Sequence, residues 1–533
     1  MLRCMHHAPV PEITVIIAVY NAMPYLTECL DSALGQSLGA ERLEVIAVDD
    51  GSTDGSGAEL ERYAARYPQL RVVHQPNSGG PGGPRNRALD LARGRYVFFL
   101  DADDHLGPEA LERLLDMAEA QGSDVVLAKQ VGLGRTVSDK AHRHAEEADL
   151  HTSEVYRSLH SAKLMRRQVI EDAGLRYPEE LWYGEDQIFV TEVYLAAGKI
   201  SVVGDYDCYF LRRREDGQNI TSRPRTAGET VAHIERVMAL VADRVRDPVG
   251  RRRMLGRHFR SLLRTALRPA VEARHENPPF SAEVYDRARA LVQTYWRPDM
   301  GGELPPIDWI RLYAFACGPL PAFEQLMEYD PALEPAPREI VDNGRVYRCY
   351  PLFRDPAAGL PDVLFDVTDR LRTQHRLSSL TWQGAGRIRL TGHAYIQSLG
   401  TGRMQSELLL RARETGEEHL VPLLARPAPE LTEQNPELMM AGFLAELDLA
   451  TLAGGGPLAP GTWDCFLNVR ADGVVRTVRL GRRHAPELDR TARRSKVLAR
   501  DPGDATELTA AAFFTTYGNL SFEVVRRLPL PTA

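Results

Sequence analysis

The stretch Tyr96–Asp103, YVFFLDAD, decides the fold. Its apolar run has no polar alternation, so it reads as a strand buried on both faces, and the chain turns acidic where the run ends. Working outward, Ile13–Val19 (ITVIIAV) and Leu43–Val48 (LEVIAV) repeat the pattern. The first enters a loop at Tyr20-Asn21 and the second ends in Asp49-Asp50-Gly51-Ser52, while Val72-Val73 starts another strand. Tyr25–Leu34 and Asp54–Tyr67 lie between these runs with helical spacing. Apolar strands separated by helices predict an α/β domain with a mainly parallel sheet covered on both faces. Ligands of such sheets bind beyond the carboxyl ends of the strands, which is where these polar and acidic loops fall.

The chain has 533 residues, 44% apolar and 26% charged, which suits a soluble protein of several domains. A net charge of −8 argues against a nucleic-acid partner. No apolar run approaches the ~20 residues of a spanning helix, and MLRCMHHAPVPEI lacks a signal-peptide core. A cytoplasmic protein is expected, with contact at the inner face of the membrane left open. The cysteines Cys4, Cys29, Cys208, Cys317, Cys349 and Cys465 are scattered without a CxxC pair, so free thiols are expected rather than zinc or disulfides.

From about Thr226 to Tyr329 the pattern is helical, and DPALEPAPRE (Asp330–Glu339) reads as a linker. Beyond it the period changes to two in GRIRLTGHAYI, QSELLLRAR, WDCFLNV and VVRTVRL, with Ala471-Asp472-Gly473 as a hairpin turn. The expected organisation is an α/β domain over 1–224, a helical region over 225–338 and a β-rich, immunoglobulin-like sandwich over 339–533.

Four features carry chemistry. Asp101-Ala102-Asp103 caps a strand with oxygen ligands suited to Mn²⁺ or Mg²⁺, although such a pattern is common in surface loops. Gly184-Glu185-Asp186 opens an apolar helix, where the acids serve either as caps or, in Asp186, as a general base. The glycine-rich stretch Asn77–Asn86 permits close backbone approach and offers Arg85 to a phosphate, without being a Walker loop. Arg212-Arg213-Arg214, followed by Asn219-Ile220-Thr221-Ser222, is either a solvated charge run or a loop closing over a diphosphate. GxGxxG is absent after the first strand, which removes a dinucleotide-dependent oxidoreductase.

In this order and spacing, VIIAVYNAMPYL, VIAVDDGSTD, the glycine loop ending PRN, FFLDADD and GEDQIF resemble family 2 glycosyltransferases of the GT-A fold. NSGGPGGPRN, YPEELWYGEDQIF and ISVVGDYDCYFLRRREDGQNITS are similar to the wall-teichoic-acid poly(ribitol-phosphate) N-acetylglucosaminyltransferases. The resemblance implies an inverting transferase that uses a UDP-sugar, probed first as UDP-GlcNAc, and an anionic glycan or polyol-phosphate acceptor. Under it, Ala18 and Tyr20 flank the nucleobase, Asp50 binds uracil, and Asn77 and Arg85 hold the nucleotide and its phosphates. Asp101 and Ala102 lie on the ribose side, and Asp103 ligates the metal. Asp186 is the base and Glu185 recognises the donor sugar, while Arg213, Arg214 and Thr221 close over the diphosphate. Two positions depart from the family pattern: Ala18 replaces a proline, and Asn219 replaces a histidine that often precedes the closing-loop hydroxyl.

In RRRMLGRHFRSLLRTALR, Arg253, Arg257, Arg260, Arg264 and Arg268 recur at helical steps along one face. That face is either solvated and paired with carboxylates or a track for a phosphate-bearing polymer. The resemblance places Arg257 and His258 toward that polymer, and it implies that the β-rich region drives trimer assembly or binds polymer. The rival class is a non-catalytic polymer-binding scaffold on the same fold, and the joint presence of Asp101, Asp103 and Asp186 argues against it.

Overall fold

A computed structural model describes residues 10–384, 386–433, 435–489, 495–500 and 506–528. Cys4 and the first nine residues of the segment read for a leader lie outside the described residues. The chain forms two compact units that divide between Tyr329 and Asp330, at the start of the stretch read as a linker.

The first unit opens with β1 (Ile13–Val19), α1 (Leu26–Leu34), β2 (Leu43–Asp49), α2 (Ser56–Ala64), β3 (Leu70–His74), α3 (Gly82–Leu89) and β4 (Tyr96–Asp101). It continues with β5 (His105–Leu106), α4 (Ala110–Gln121), β6 (Val125–Ala128), β7 (Gln130–Leu133), β8 (Lys163–Arg166), α5 (Arg167–Asp172), α6 (Glu185–Ala196), β9 (Ile200–Val203) and β10 (Tyr209–Arg212). Seven strands form one sheet in the order β3-β2-β1-β4-β8-β6-β9, with only β8 antiparallel to its neighbours. Val15, Ile17, Val45, Phe98 and Leu100 are fully buried, as unalternating apolar strands require, and each contributes ~1.5–3 kcal/mol by burial. Register sets the site: Ala18 pairs with Val48 on one side and Asp101 on the other, so β1, β2 and β4 end on one rim. A second small sheet, β5-β10-β7, crosses beside that rim.

The helical region is α7 (Ala227–Arg244), α8 (Pro248–Ser261), α9 (Arg268–Ala273), α10 (Pro278–Tyr295), α11 (Pro306–Cys317) and α12 (Leu320–Glu328). A capping box between Thr226 and Glu229 starts α7, which packs on α6, α8 and α10 and so joins this region to the α/β part. The continuous arginine face does not form. A π-helical turn, Leu262–Leu267, separates α8 from α9 and shifts the phase between Arg260 and Arg268. Arg253 pairs with Glu303 and Arg260 with Asp308, so these two follow the carboxylate-paired alternative.

The second unit contains β11 (Glu339–Asp342), β12 (Arg345–Arg348), β13 (Thr373–Trp382), β14 (Arg387–Ile396), β15 (Gln405–Ala412), β16 (Glu418–Pro422) and β17 (Leu424–Arg426). The short helix α13 (Pro429–Thr432) and the strands β18 (Gly442–Asp448), β19 (Gly461–Ala471), β20 (Val474–Arg479), β21 (Ser495–Arg500), β22 (Glu507–Phe514) and β23 (Leu520–Arg527) follow. The sheet β13-β14-β18-β17 and a larger sheet centred on β15, β19 and β23 share one core that includes Leu377, Leu390, Phe443, Trp463, Leu467 and Phe522. This is the expected sandwich. Ala471 pairs with Val474 across Asp472-Gly473, both at positive φ, so the two-residue hairpin also forms as expected.

Candidate active site

The rim of the first sheet opens into a cleft of about 990 Å³. Ala18, Tyr20, Asp50, Asn77, Arg85, Asp101, Ala102, Asp103, Glu185, Asp186, Arg214 and Thr221 all line it. On the β2 side, Asp50 is buried and its carboxylate accepts from Ser78 N at 3.0 Å, Ser78 Oγ at 2.9 Å and Gln75 Nε2 at 2.7 Å. Asn77 donates to the Asp50 carbonyl and accepts from Gly79 N, which fixes the loop that faces Tyr20.

The floor is built on Arg85. Half of the glycine-rich stretch is the helix α3, which carries Arg85 inward, where its side chain is 8% exposed. The guanidinium donates to Asp101 Oδ1 at 2.7 Å and to Glu185 Oε1 at 2.8 Å, and it lies over the Tyr177 ring. With these partners Arg85, which also lines the cleft, joins the strand-end acids to the first turn of α6. The glycines likewise serve packing, since a Cβ on Gly80 would stand 2.9 Å from Trp182 Cα. Gly184 turns the chain into α6 at a φ of +76°, where a Cβ would lie 2.5 Å from the buried His233 ring.

One guanidinium between two carboxylates sets their protonation apart. Burial would raise the Asp101 carboxyl, but Arg85 and His160 hold it well below the usual range. Burial and the neighbouring Asp186 push Glu185 up to about 8 against the pull of Arg85. Asp186 is also raised, mainly by burial and in part by Asp101, with His160 and Arg85 opposing. Burial and the Asp101 charge push Asp103 up to about 6.

Asp101, Asp104 and His160 bring one ligand atom each within 4.8 Å of one another. Two members of this group are engaged elsewhere. Asp104 accepts from Tyr209 OH at 2.6 Å and from Arg212 N at 2.7 Å, which ties β10 to the strand-end turn. His160 accepts Ala162 N–H at Nδ1, so its proton sits on Nε2, which faces Asp101 Oδ2 at 3.3 Å. Among the described residues Asp103 accepts one side-chain hydrogen bond, from Asn219 Nδ2 at 3.2 Å on one oxygen. Asp103 therefore offers the cleft a carboxylate oxygen of the kind that suits Mn²⁺ or Mg²⁺, while both Asp101 oxygens face partners, Arg85 and His160.

The closing loop differs from expectation at one arginine. Arg212 and Arg214 line the cleft, whereas Arg213 is exposed and outside it, because alternation along the end of β10 turns successive side chains to opposite sides. Arg214 donates to Asn21 O and pairs with Asp216, while Arg212 pairs with Glu28 and donates to Asp103 O. Sequence reasoning singled out neither Arg212 alone nor His160, which sits in a loop without periodic signal.

A second cavity of about 250 Å³ is lined by Arg157 and Arg257. Asp186, Gln187 and His160 line both cavities. Arg257 donates to Gln187 Oε1 at 3.4 Å and so stands on the far side of Asp186 from Arg85. His258 is not at a surface: it is fully buried, with Nε2 2.7 Å from Tyr156 OH. Its place on the inner face of α8 makes it a core residue, which corrects its expected contact with acceptor.

This cleft has the layout of a GT-A nucleotide-sugar site, and residues 14–174 match the Glycosyl transferase family 2 model. Residues 366–524 match TarS beta-glycosyltransferase C-terminal domain 1, so the chain carries a family 2 glycosyltransferase domain together with a TarS-type β domain. Among curated proteins, it is 38% identical over 213 residues to a poly(ribitol-phosphate) beta-glucosyltransferase of Bacillus spizizenii, covering 39% of this chain and 33% of that protein. It is 37% identical over 214 residues to the poly(ribitol-phosphate) beta-N-acetylglucosaminyltransferase TarS of Staphylococcus aureus, covering 40% of this chain and 37% of TarS. The alignments thus span little more than a third of either relative. The crystal structure of S. aureus TarS superposes with a TM-score of 0.57 at 22% identity, over 97% of this chain and 85% of TarS. Its 1–349 fragment in complex with UDP-GlcNAc gives 0.56 at 25% identity, over 63% of this chain and 96% of the fragment.

Proposed function

We propose that the chain is an inverting, metal-dependent glycosyltransferase moving a sugar, GlcNAc from UDP-GlcNAc, to a hydroxyl of a polyol-phosphate polymer of the teichoic-acid type. The observation that carries this reading is Asp186 at the junction of two cavities. The larger has the size of a nucleotide-sugar site, and the smaller is flanked by Arg157 and Arg257. A base that removes a proton from an acceptor hydroxyl must touch both substrates' spaces, and a raised carboxyl is a stronger base than an ordinary one.

In this mechanism Tyr20, Asp50 and Asn77 hold the uridine. Asp103 would hold Mn²⁺ or Mg²⁺, which when bound would supply positive charge against the diphosphate leaving group, and Asp101 stands on the ribose side. Arg212, Arg214 and Thr221 close over the same phosphates. Asp186 takes the hydroxyl proton as the acceptor oxygen attacks the sugar from the face opposite the departing UDP, and Glu185 contacts the donor sugar. Arg85 holds the acids in place. The names of TarS and the Bacillus relative support the acceptor class, and they differ in the sugar, so the donor is tested directly. Among the described residues no helix is long and apolar enough to cross a membrane. The reading places the enzyme in the cytoplasm at the inner membrane face and assigns trimer assembly to the β-rich unit. Light scattering on the full chain and on a chain ending near Glu334 checks the assembly.

The test is UDP release from UDP-GlcNAc and UDP-glucose with a poly(ribitol phosphate) acceptor, with and without EDTA. Acceptor-stimulated release from UDP-GlcNAc that EDTA abolishes is expected. Turnover insensitive to EDTA removes the metal, and no turnover with either donor favours the scaffold.

A further inference from the structure

The outer face of β14 shows an abrupt change in charge balance. Arg387 and Arg389 stand opposite Asp448 and Glu446 of β18 and pair with them at 3.2 Å and 2.6 Å. Thr391 is bonded to Ser379 of β13. Beyond this point the acids stop. His393 stands opposite Arg376, and Tyr395 opposite Gln374, all on the same face as Arg387 and Arg389 because alternate residues share a face.

A β-bulge between Leu377 and Ser379 coincides with the docking of a second basic segment. Leu377 N donates to Arg483 O, and Ala485 N donates to Leu377 O, each at 2.9 Å, laying residues 481–485 along β13. This segment brings Arg482, Arg483 and His484 to the face that carries Arg376 and His393. Together they bound a cleft of about 430 Å³ with no carboxylate in its lining among the described residues. Glu430 of α13 reaches His393 Nδ1 at 3.2 Å from the side, and Arg483 donates to Gln374 Oε1. Arg376 and Arg482 have no carboxylate partner among the described residues, in contrast to Arg387 and Arg389 on the same sheet.

Arg376, Arg482 and Arg483 converge with no carboxylate paired to them among the described residues, so they repel one another, and an oxyanion held in bidentate fashion relieves that repulsion. We propose that this cleft is a phosphate-binding subsite of the β-rich unit, and that it takes phosphodiester groups of the acceptor polymer. The identity of the polymer rests on the function proposed above, whereas the phosphate site rests on the cleft alone.

The test is calorimetric titration of inorganic pyrophosphate into the full chain pre-saturated with UDP. The wild type, the double variant Arg376→Ala/Arg483→Ala and the control Arg387→Ala are compared, with unchanged thermal melts confirming folding. One saturable site is expected in the wild type and the control, weakened about 10–100-fold in the double variant, as expected for loss of charge-assisted hydrogen bonds. The KM for poly(ribitol phosphate) should rise in the double variant while that for UDP-GlcNAc stays constant. Absence of the site, equal weakening in the control, or binding to phosphatidylglycerol vesicles but not to pyrophosphate would overturn the proposal. Pyrophosphate binding needs no sugar transfer, so an inactive enzyme that still shows the site counts against the function alone.

Discussion

Replacing Arg85 by Met tests the bridge on which the site is built. The substitution keeps most of the side-chain volume over Tyr177 but removes the charge shared by Asp101 and Glu185. Breaking a buried ion pair costs about 3–5 kcal/mol. The loss has a ceiling set by protonation, since a stranded carboxylate can take up a proton. For an Asp of ordinary pKa ~3.9, that uptake costs about 4 kcal/mol at pH 7 and about 1.5 kcal/mol at pH 5. In the wild type the Asp101 carboxyl lies below its unfolded value, so its stabilisation is present above the ordinary carboxylate range and is lost as pH falls through the lowered value. The Arg85→Met penalty should therefore be about 3–4 kcal/mol at pH 7 and shrink to about 1–1.5 kcal/mol at pH 5. Amide exchange of Tyr96–Leu100 reads this for the first unit alone, which a global melt of a two-unit chain does not. A loss below 1 kcal/mol at pH 7, or an equal loss at both pH values, refutes the shared-guanidinium account.

Asp186→Asn should lower kcat by about 10²–10⁴-fold with UDP affinity retained. Because a base acts ionised and burial raises Asp186, the acid limb of the wild-type kcat profile should lie above the ordinary carboxylate range; a limb near pH 4 contradicts this. Arg212→Ala should raise the KM for the donor several-fold and Arg213→Ala should leave it unchanged, since only the former lines the cleft; steady-state kinetics on the pair decides. His258→Ala should cost about 1–3 kcal/mol by removing the buried partner of Tyr156 OH and leave the acceptor KM unchanged, as read by urea unfolding and kinetics.

The strands of the first sheet were legible because burial on both faces leaves an unalternating apolar run, and YVFFL and LEVIAV have no other use. The sandwich was legible for the opposite reason: period two with an Asp-Gly turn specifies half-exposed strands. The acids at strand ends followed from the sheet's topology. What the sequence hid depends on tertiary contact. That α3 buries Arg85 between two acids has no signal in the sequence. Arg213 and Arg212 are alike in sequence, and only the end of β10 tells them apart. The arginine face failed because period arithmetic assumes an unbroken α-helix, and the π turn at Leu262–Leu267 breaks it. His160 had no local signal, being placed by the loop that precedes β8.

The most direct test of the central claim is transfer of labelled GlcNAc from UDP-GlcNAc to purified poly(ribitol phosphate), with the new linkage read by NMR. The account predicts a β-linked product that requires Mn²⁺ or Mg²⁺ and disappears with Asp186→Asn. An α-linked product, or undiminished transfer by the Asp186→Asn protein, contradicts it.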